Sequence, residues 1–208
     1  MNQIGEANWA RRRLPLSLVG LSVGLSVALS ALSGCGYNEV IERDEDVKGT
    51  WAEVQNQYKR RADLVPQLVK VVQGAANFEQ KTLQAVVEAR ASVAGVKVDA
   101  SVIDDPAKLQ AFEEAQAKLS GALSRLLVVS EAYPDLKATA GFRDLQAQLE
   151  GTENRIAVAR GRYIETVAEY NKVVLRFPTS IGAGMRGKKE RPTFQGSAEH
   201  EKPPEINL

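Results

Sequence analysis

The chain has one cysteine and one histidine among 208 residues, and only 6% of it is aromatic. A single cysteine rules out an internal disulfide, so the compartment has to be read from other features. One histidine, His200, and one cysteine, Cys35, are too few for a His/Cys zinc site. Beyond Cys35 no GxSxG, HExxH or ExxH spacing occurs, so neither a hydrolase elbow nor a bundle-type carboxylate–histidine metal site is indicated in the body. Charge of one sign is also missing. Setting aside Arg11, Arg12, Arg13 and Glu6 leaves 24 basic against 25 acidic residues, from 27 and 26. A near-neutral body lacks the phosphate-neutralising excess that nucleic-acid binding needs. No enzyme, cofactor or nucleic-acid partner is therefore expected.

What the sequence does have begins at its leader. Arg11 to Arg13 precede an uncharged stretch, Leu14 to Leu32, which ends in small residues before Cys35. A positive start, an apolar middle and a small-residue exit make a secretory signal peptide over 1–34. The tetrapeptide Leu32-Ser33-Gly34-Cys35 resembles a bacterial lipobox. Its thiol is the nucleophile that would accept a lipid, and cleavage would follow just before it. The alternative is an uncleaved membrane helix over 14–32, about nineteen residues against the roughly 20 that a span requires. Either way the arginines stay on the cytoplasmic side and the body lies outside it. The expected place is the bacterial cell envelope. Gly36 after the cysteine weighs slightly towards an outer membrane where one exists.

Helical periodicity fills the stretch from Asn38 to Phe177. Val40, Asp44, Val47, Trp51, Val54, Tyr58, Arg61, Val65, Leu68, Val72 and Ala75 recur at steps of four and three. That is one stripe with a repeat near 3.5 residues, as in bundles and coiled coils. Asn38 is placed to cap this helix. Gly74 and Asn77 allow a break, and Leu83, Val86, Val87, Arg90 and Val93 continue beyond it. Gly95 to Asp105 reads as a connector. Asp105-Pro106 then opens a new helix, with aspartate as cap and proline at the first position. Leu109, Phe112, Gln116, Leu119, Leu123 and Leu126 line it. A connector near 133–139 precedes a last helix lined from Phe142 through Ile156, Tyr163 and Tyr170 to Phe177.

No segment alternates with a period of two, so the fold class is all-α. The spacing predicts an elongated antiparallel helical bundle over 35–178, of about four helical segments. Past Phe177-Pro178 the composition turns to Gly, Pro, Lys and Glu. Residues 179–208 are expected to form an irregular, loosely docked or disordered tail.

Two groups break the apolar pattern. Arg60, Arg61, Asp63 and Pro66 lie together in "KRRADLVP". An interior proline costs roughly 3 kcal/mol and strips the Ala62 carbonyl of its donor. Either a kink there opens a groove lined by Arg60, Arg61 and Asp63, or the charges are solvated or paired beside a tolerated bend. The second group is Glu131, Glu153 and Arg160. Glu153 and Arg160 share a helical face, seven residues apart. They form either an ion-pair layer fixing register or ordinary surface pairs.

"VKGTW" ending at Trp51, "QYKRRADLVPQLV" from Gln57, "FEQKTLQAVVEAR" at 78–90, "SEAYPDLKA" at 130–138 and "FRDLQAQLEGTENRIAVARGRYIETVAEYN" at 142–171 occur in that order. With Tyr37-Asn38 and "RFP" at 176–178, they resemble the LemA family. The resemblance implies a bundle of four helices held on the extracytoplasmic side by its N-terminus, with no assigned activity. Family members commonly carry an uncleaved membrane helix before the Tyr-Asn pair, where this chain has a lipobox-like cysteine. They also often have an aromatic-rich tail, of which only Phe194 remains here.

Three roles follow from this reading. The first is a membrane-tethered structural or adaptor protein that meets another envelope protein. The second is a carrier or sensor that takes an apolar ligand between helices near Pro66. The third is self-association through the 3.5-residue stripe.

Overall fold

The structure is a computed structural model that describes residues 16–96 and 99–194, with the backbone alone for 16–37. The expected signal peptide and the expected lipid acceptor, Cys35, therefore lie outside the described side chains, and the tail beyond 194 lies outside the described residues.

Four long helices form the body: α1 (Leu16–Gln73), α2 (Gln80–Gly95), α3 (Pro106–Ser130) and α5 (Ala140–Leu175). Two short ones, α4 (Pro134–Ala138) and α6 (Thr179–Met185), and a 3-10 turn over Ala100–Asp104 complete the set among the described residues. No strand occurs among the described residues. α1 packs mainly on α5, and α2 on α3. Glu53 meets Arg162 and Arg61 meets Glu153, so residue numbers rise on α1 as they fall on α5. The pair is antiparallel. α5 alone is about 54 Å long at 1.5 Å per residue.

The 3.5-residue stripe forms the seam. Every member on α1 from Val40 to Val72 is buried, including Asp44 and Arg61. The α3 set from Leu109 to Leu126 is buried, as are the α5 positions from Phe142 to Val174. The local signals at the start of α3 also hold. The Asp105 carboxylate accepts from the backbone N–H of Ala107 at 2.9 Å, and Pro106 occupies the first turn. α5 starts two residues earlier than its first apolar residue, where Thr139 Oγ1 accepts from Phe142 N–H. Asn77 adopts φ 62°, a left-handed conformation that asparagine tolerates, and reverses the chain between α1 and α2. Its carbonyl accepts from the Tyr133 hydroxyl at 2.9 Å, which ties together the two turns at this end.

Three expectations are corrected. Asn38 does not cap a helix: α1 passes through it without a break. Phe177 and Val87 leave the stripes and are exposed. The tail does not begin at 179. α6 packs Ala183 into the core, and Arg191 and Phe194 are buried at 6% and 3% exposure. Its polar composition misled because docking here uses one aromatic ring and a few ion pairs rather than a periodic apolar face.

Two apolar cores sit end to end. The one near the N-terminal side holds Trp51, Tyr58, Phe112, Tyr163, Tyr170 and Phe194 with Val40, Val47 and Ile156. The far one is aliphatic: Leu64, Leu68, Val72, Leu83, Val86, Leu119, Leu123, Leu126, Leu145 and Leu149, with Phe78 and Phe142. We call them the proximal and distal cores.

Candidate functional site

Arg61 stands on the boundary between the two cores, and its position follows from the stripe. Three- and four-residue steps from Tyr58 to Val65 put position 61 on the seam, so the guanidinium must find partners inside. It is 2% exposed. Nη1 donates to Glu153 Oε1 at 2.8 Å and to Ser120 Oγ at 3.1 Å. Nη2 donates to the side chain of Gln116 at 2.6 Å and to its backbone carbonyl at 3.1 Å. The planar head also lies over the Tyr58 ring, 5.0 Å from its centre. One residue of α1 thus joins α3 and α5 in a single polar layer. A buried charge is tolerated only with such pairing, and the directional bonds fix the axial register of three helices.

Arg160 forms a second joint one turn along. It donates to Tyr58 Oη at 3.3 Å and to Glu113 at 3.2 Å, and it stacks over Phe194 at 4.3 Å. Glu153 and Arg160 do not form the layer with each other. They share a face, but each reaches a different partner: Glu153 finds Arg61, and Arg160 finds Glu113. Glu131 takes no part, pairing with Lys137 on the surface.

Pro66 lies within α1, and the helix continues past it. The carbonyl that the proline orphans, at Ala62, accepts instead from Arg90 Nε of α2 at 3.2 Å. Arg60 and Asp63 are exposed. They line an open hollow of about 520 Å³ with Asn56, Gln67, Gln148 and Arg155. A second hollow of about 420 Å³ is bordered by Tyr58, Ala62, Asp63, Arg90, Val93 and Phe112. Pro66 lines neither, and Arg61 is turned into the layer, so of the two readings the one with a groove lined by Arg60, Arg61 and Asp63 at a proline kink is not what forms.

The third cluster escaped the sequence reading. Asp44, on the apolar stripe and 3% exposed, is met by three cations. Lys48, Lys188 and Arg191 each place a nitrogen 2.9 Å from its carboxylate. Arg191 Nε also donates to Asp104 at 2.8 Å, and the guanidinium covers the Tyr170 ring at 4.7 Å. Asn171 holds the same segment by its backbone, accepting from Arg191 N–H and donating to Arg191 O at 2.9 and 3.0 Å. Phe194 then enters the proximal core against Tyr163 and Trp51, with ring centres 5.3 and 6.1 Å away. Residues 186–194 are a clasp across α1 and α5. Burial opposes charge on Asp44, but hydrogen bonds from Lys48 and Lys188 and the Arg191 charge outweigh it, holding the carboxyl below its usual range. Burial pushes the Tyr163 and Tyr170 hydroxyls up. Two signals for the clasp were present in sequence: an aspartate on an apolar stripe, which demands a cation, and one aromatic in a polar tail.

The buried charges are therefore spent on joints between helices. Among the described residues no three His, Cys, Asp or Glu side chains gather as metal ligands. Among the residues with described side chains, no helix is long and apolar enough to cross a membrane.

Comparison with known proteins finds relatives along most of the chain. Magnetosome protein MamQ 2 of Paramagnetospirillum magneticum is 24% identical over 195 residues, spanning 86% of this chain and 72% of that protein. Magnetosome protein MamQ of Magnetospirillum gryphiswaldense is 23% identical over 202 residues, 89% of this chain and 72% of the relative. Protein LemA of Metamycoplasma hominis is 23% identical over 160 residues, 77% and 69% of the two chains. The model of the LemA family matches residues 50–208, so the matched region extends through the clasp and past the boundary expected at 178. The chain belongs to the LemA family.

Proposed function

We propose that this protein is a membrane-tethered, non-catalytic structural or adaptor component of the bacterial cell envelope, with its body outside the cytoplasm. The observation that carries this reading is where the buried ionisable groups go. Arg61, Asp44 and Arg191 all join helix to helix or segment to helix, and none faces a hollow with an acid, base or nucleophile beside it. Such a body is built to hold a shape. The leader supplies the tether: Arg11 to Arg13, the uncharged run 14–32 and Cys35, whose sulfur would carry the lipid after removal of 1–34. Buried acyl carbons contribute about 0.8 kcal/mol each, so two or more chains hold firmly. The partner on this reading is another envelope protein that meets the exposed helix faces, or a second copy of the chain. Gly36 favours the outer membrane where the cell has one. Relatives named for the magnetosome, rather than for a reaction, support a structural role over a catalytic one.

The carrier reading keeps one observation in its favour. The hollow of about 420 Å³ beside Tyr58, Ala62, Val93 and Phe112 has a partly apolar wall, one turn from Pro66. Native mass spectrometry of the purified chain, carried out for both readings, should show no bound lipid beyond the covalent anchor. A stoichiometric extra lipid would favour the carrier.

The tether is tested by the mass of the mature N-terminus together with fractionation of intact cells. The expected result is an acylated Cys35 at the first position, in the membrane fraction. An unmodified, uncleaved chain in the soluble fraction defeats the proposal.

A further inference from the structure

Large apolar side chains exposed to solvent are scattered singly over most of the molecule: Ile41, Val87, Val128, Val158 and Ile164. One stretch departs from this. Leu175, Phe177, Ile181 and Met185 are 61%, 76%, 59% and 84% exposed within residues 175–185. Clustered exposure of this kind marks a surface that is covered in use. Ile181 and Met185 are one helical turn apart on α6, while Ala183 on the opposite side is buried. α6 is therefore amphipathic in the inverted sense, with its larger apolar residues facing out.

The surroundings of the patch identify its cover. Arg176, Arg186 and Lys189 are exposed around it, Lys188 is bonded to Asp44, and Glu190 is the one acid between 175 and 190. Ala183 shares the proximal core with Val40 of α1. Val40 lies five residues after Cys35, about 7.5 Å along a helix. The patch thus sits at the end of the body where the chain leaves for its leader. An interfacial segment buries its apolar face roughly 5–10 Å into the headgroup region and uses Lys and Arg to bind anionic lipid. The distances match that geometry, as do the charges within 175–190; the exposed acids at this end, Glu39, Glu42, Glu45 and Asp46, lie on α1.

We infer that Leu175, Phe177, Ile181 and Met185, with their basic rim, are a second membrane contact that seats the proximal end of the bundle on an anionic lipid surface. The inference rests on the tethered reading of the leader. The tether keeps the patch at high local concentration next to the bilayer, so even weak insertion is occupied. Two contacts, the leader and the patch, then fix the tilt of the bundle. A single flexible tether would leave it free.

The test uses the full chain with its native leader, reconstituted into vesicles of phosphatidylglycerol with phosphatidylethanolamine, or of phosphatidylcholine alone. A nitroxide is attached at Ile181→Cys, or at Val128→Cys at the distal end as control, and the native chain gives the background from Cys35. The expected result is that the label at 181 is reached by oxygen but shielded from a water-soluble nickel chelate in the anionic vesicles. Shielding should be several-fold weaker in phosphatidylcholine, and the label at 128 should stay aqueous throughout. Adding Phe177→Ser and Met185→Ser should return the label at 181 to water. A label at 181 that stays aqueous while the chain floats with the vesicles overturns the docking and leaves the tether standing. A chain that does not float defeats the tether and the docking with it. Shielding from both reagents that grows with protein density assigns the patch to a protein partner and overturns the lipid assignment.

Discussion

The proximal and distal halves of this bundle reach the same architecture by different means. The distal half is leucine and valine interdigitating along four helices, closed at its end by the Asn77–Tyr133 bond. The proximal half is built of Trp51, Tyr58, Phe112, Tyr163, Tyr170 and Phe194, and buried ions surround it. Aliphatic packing is non-directional and specifies a helix face more than a register. Aromatic rings with polar handles, and guanidinium groups with several donors, specify both. The half nearest the leader is thus the one whose geometry is most tightly determined. Arg61 is the border between the two regimes.

The comparison breaks most severely at that border. Arg61→Ala leaves Gln116 without its donor and opens a cavity, and it should cost on the order of 3–5 kcal/mol in denaturant unfolding of the full chain. Arg61→Met fills the space and fuses the two cores, and most of that loss should return. If methionine is as damaging as alanine, the hydrogen bonds rather than the filled volume carry the stability. Next in size is Phe194→Ala. Deleting a buried ring costs roughly 3 kcal/mol where the site cannot relax, but the clasp can detach on its own, which limits the cost. Trypsin should cut after Lys188 and Lys189 several-fold faster (the Arg191–Pro192 bond resists it), while sites in α2 and α3 stay protected. Unchanged cutting would show that the ring does not hold the segment.

Acid should act on the proximal half alone. Asp44 is held below its usual range in the folded chain, against about 3.9 when unfolded. Its contribution is therefore present above about pH 4 and is lost as pH falls through the folded value. Proteolysis of residues 186–194 should accelerate below about pH 4, and Asp44→Asn should abolish that dependence. A clasp equally protected at pH 3 would contradict the ion-pair account. The smallest effect belongs to Gly121 in α3, where an added Cβ meets nothing within 4 Å. Gly121→Ala should raise stability by about 0.5–1 kcal/mol, measured by thermal unfolding, without touching the clasp.

The two halves also differ in how well the sequence reports them. The stripes of α1, α3 and α5 were legible because apolar burial along a helix repeats, and the repeat carried even Asp44 and Arg61 to their buried places. The Asp105-Pro106 start was legible because capping is local. The clasp was not legible. Arg191 and Phe194 are held by several contacts to residues 20 or more positions away, and such contacts leave no period. The partners of Glu153 and Arg160 were missed for a related reason: a shared face says which way two side chains point, but not which helix lies opposite. Pro66 left two readings open because the fate of the Ala62 carbonyl is decided on another helix, where Arg90 supplies the donor.

Amide hydrogen exchange on the full chain, with native Arg191 compared with Arg191→Met, bears most directly on the claim that an ionic clasp holds the proximal half. Loss of protection should appear in the proximal turns of α1, the last turns of α5 and residues 179–194, with the distal parts of α2 and α3 unchanged. Protection lost evenly along every helix, or lost nowhere, would contradict it.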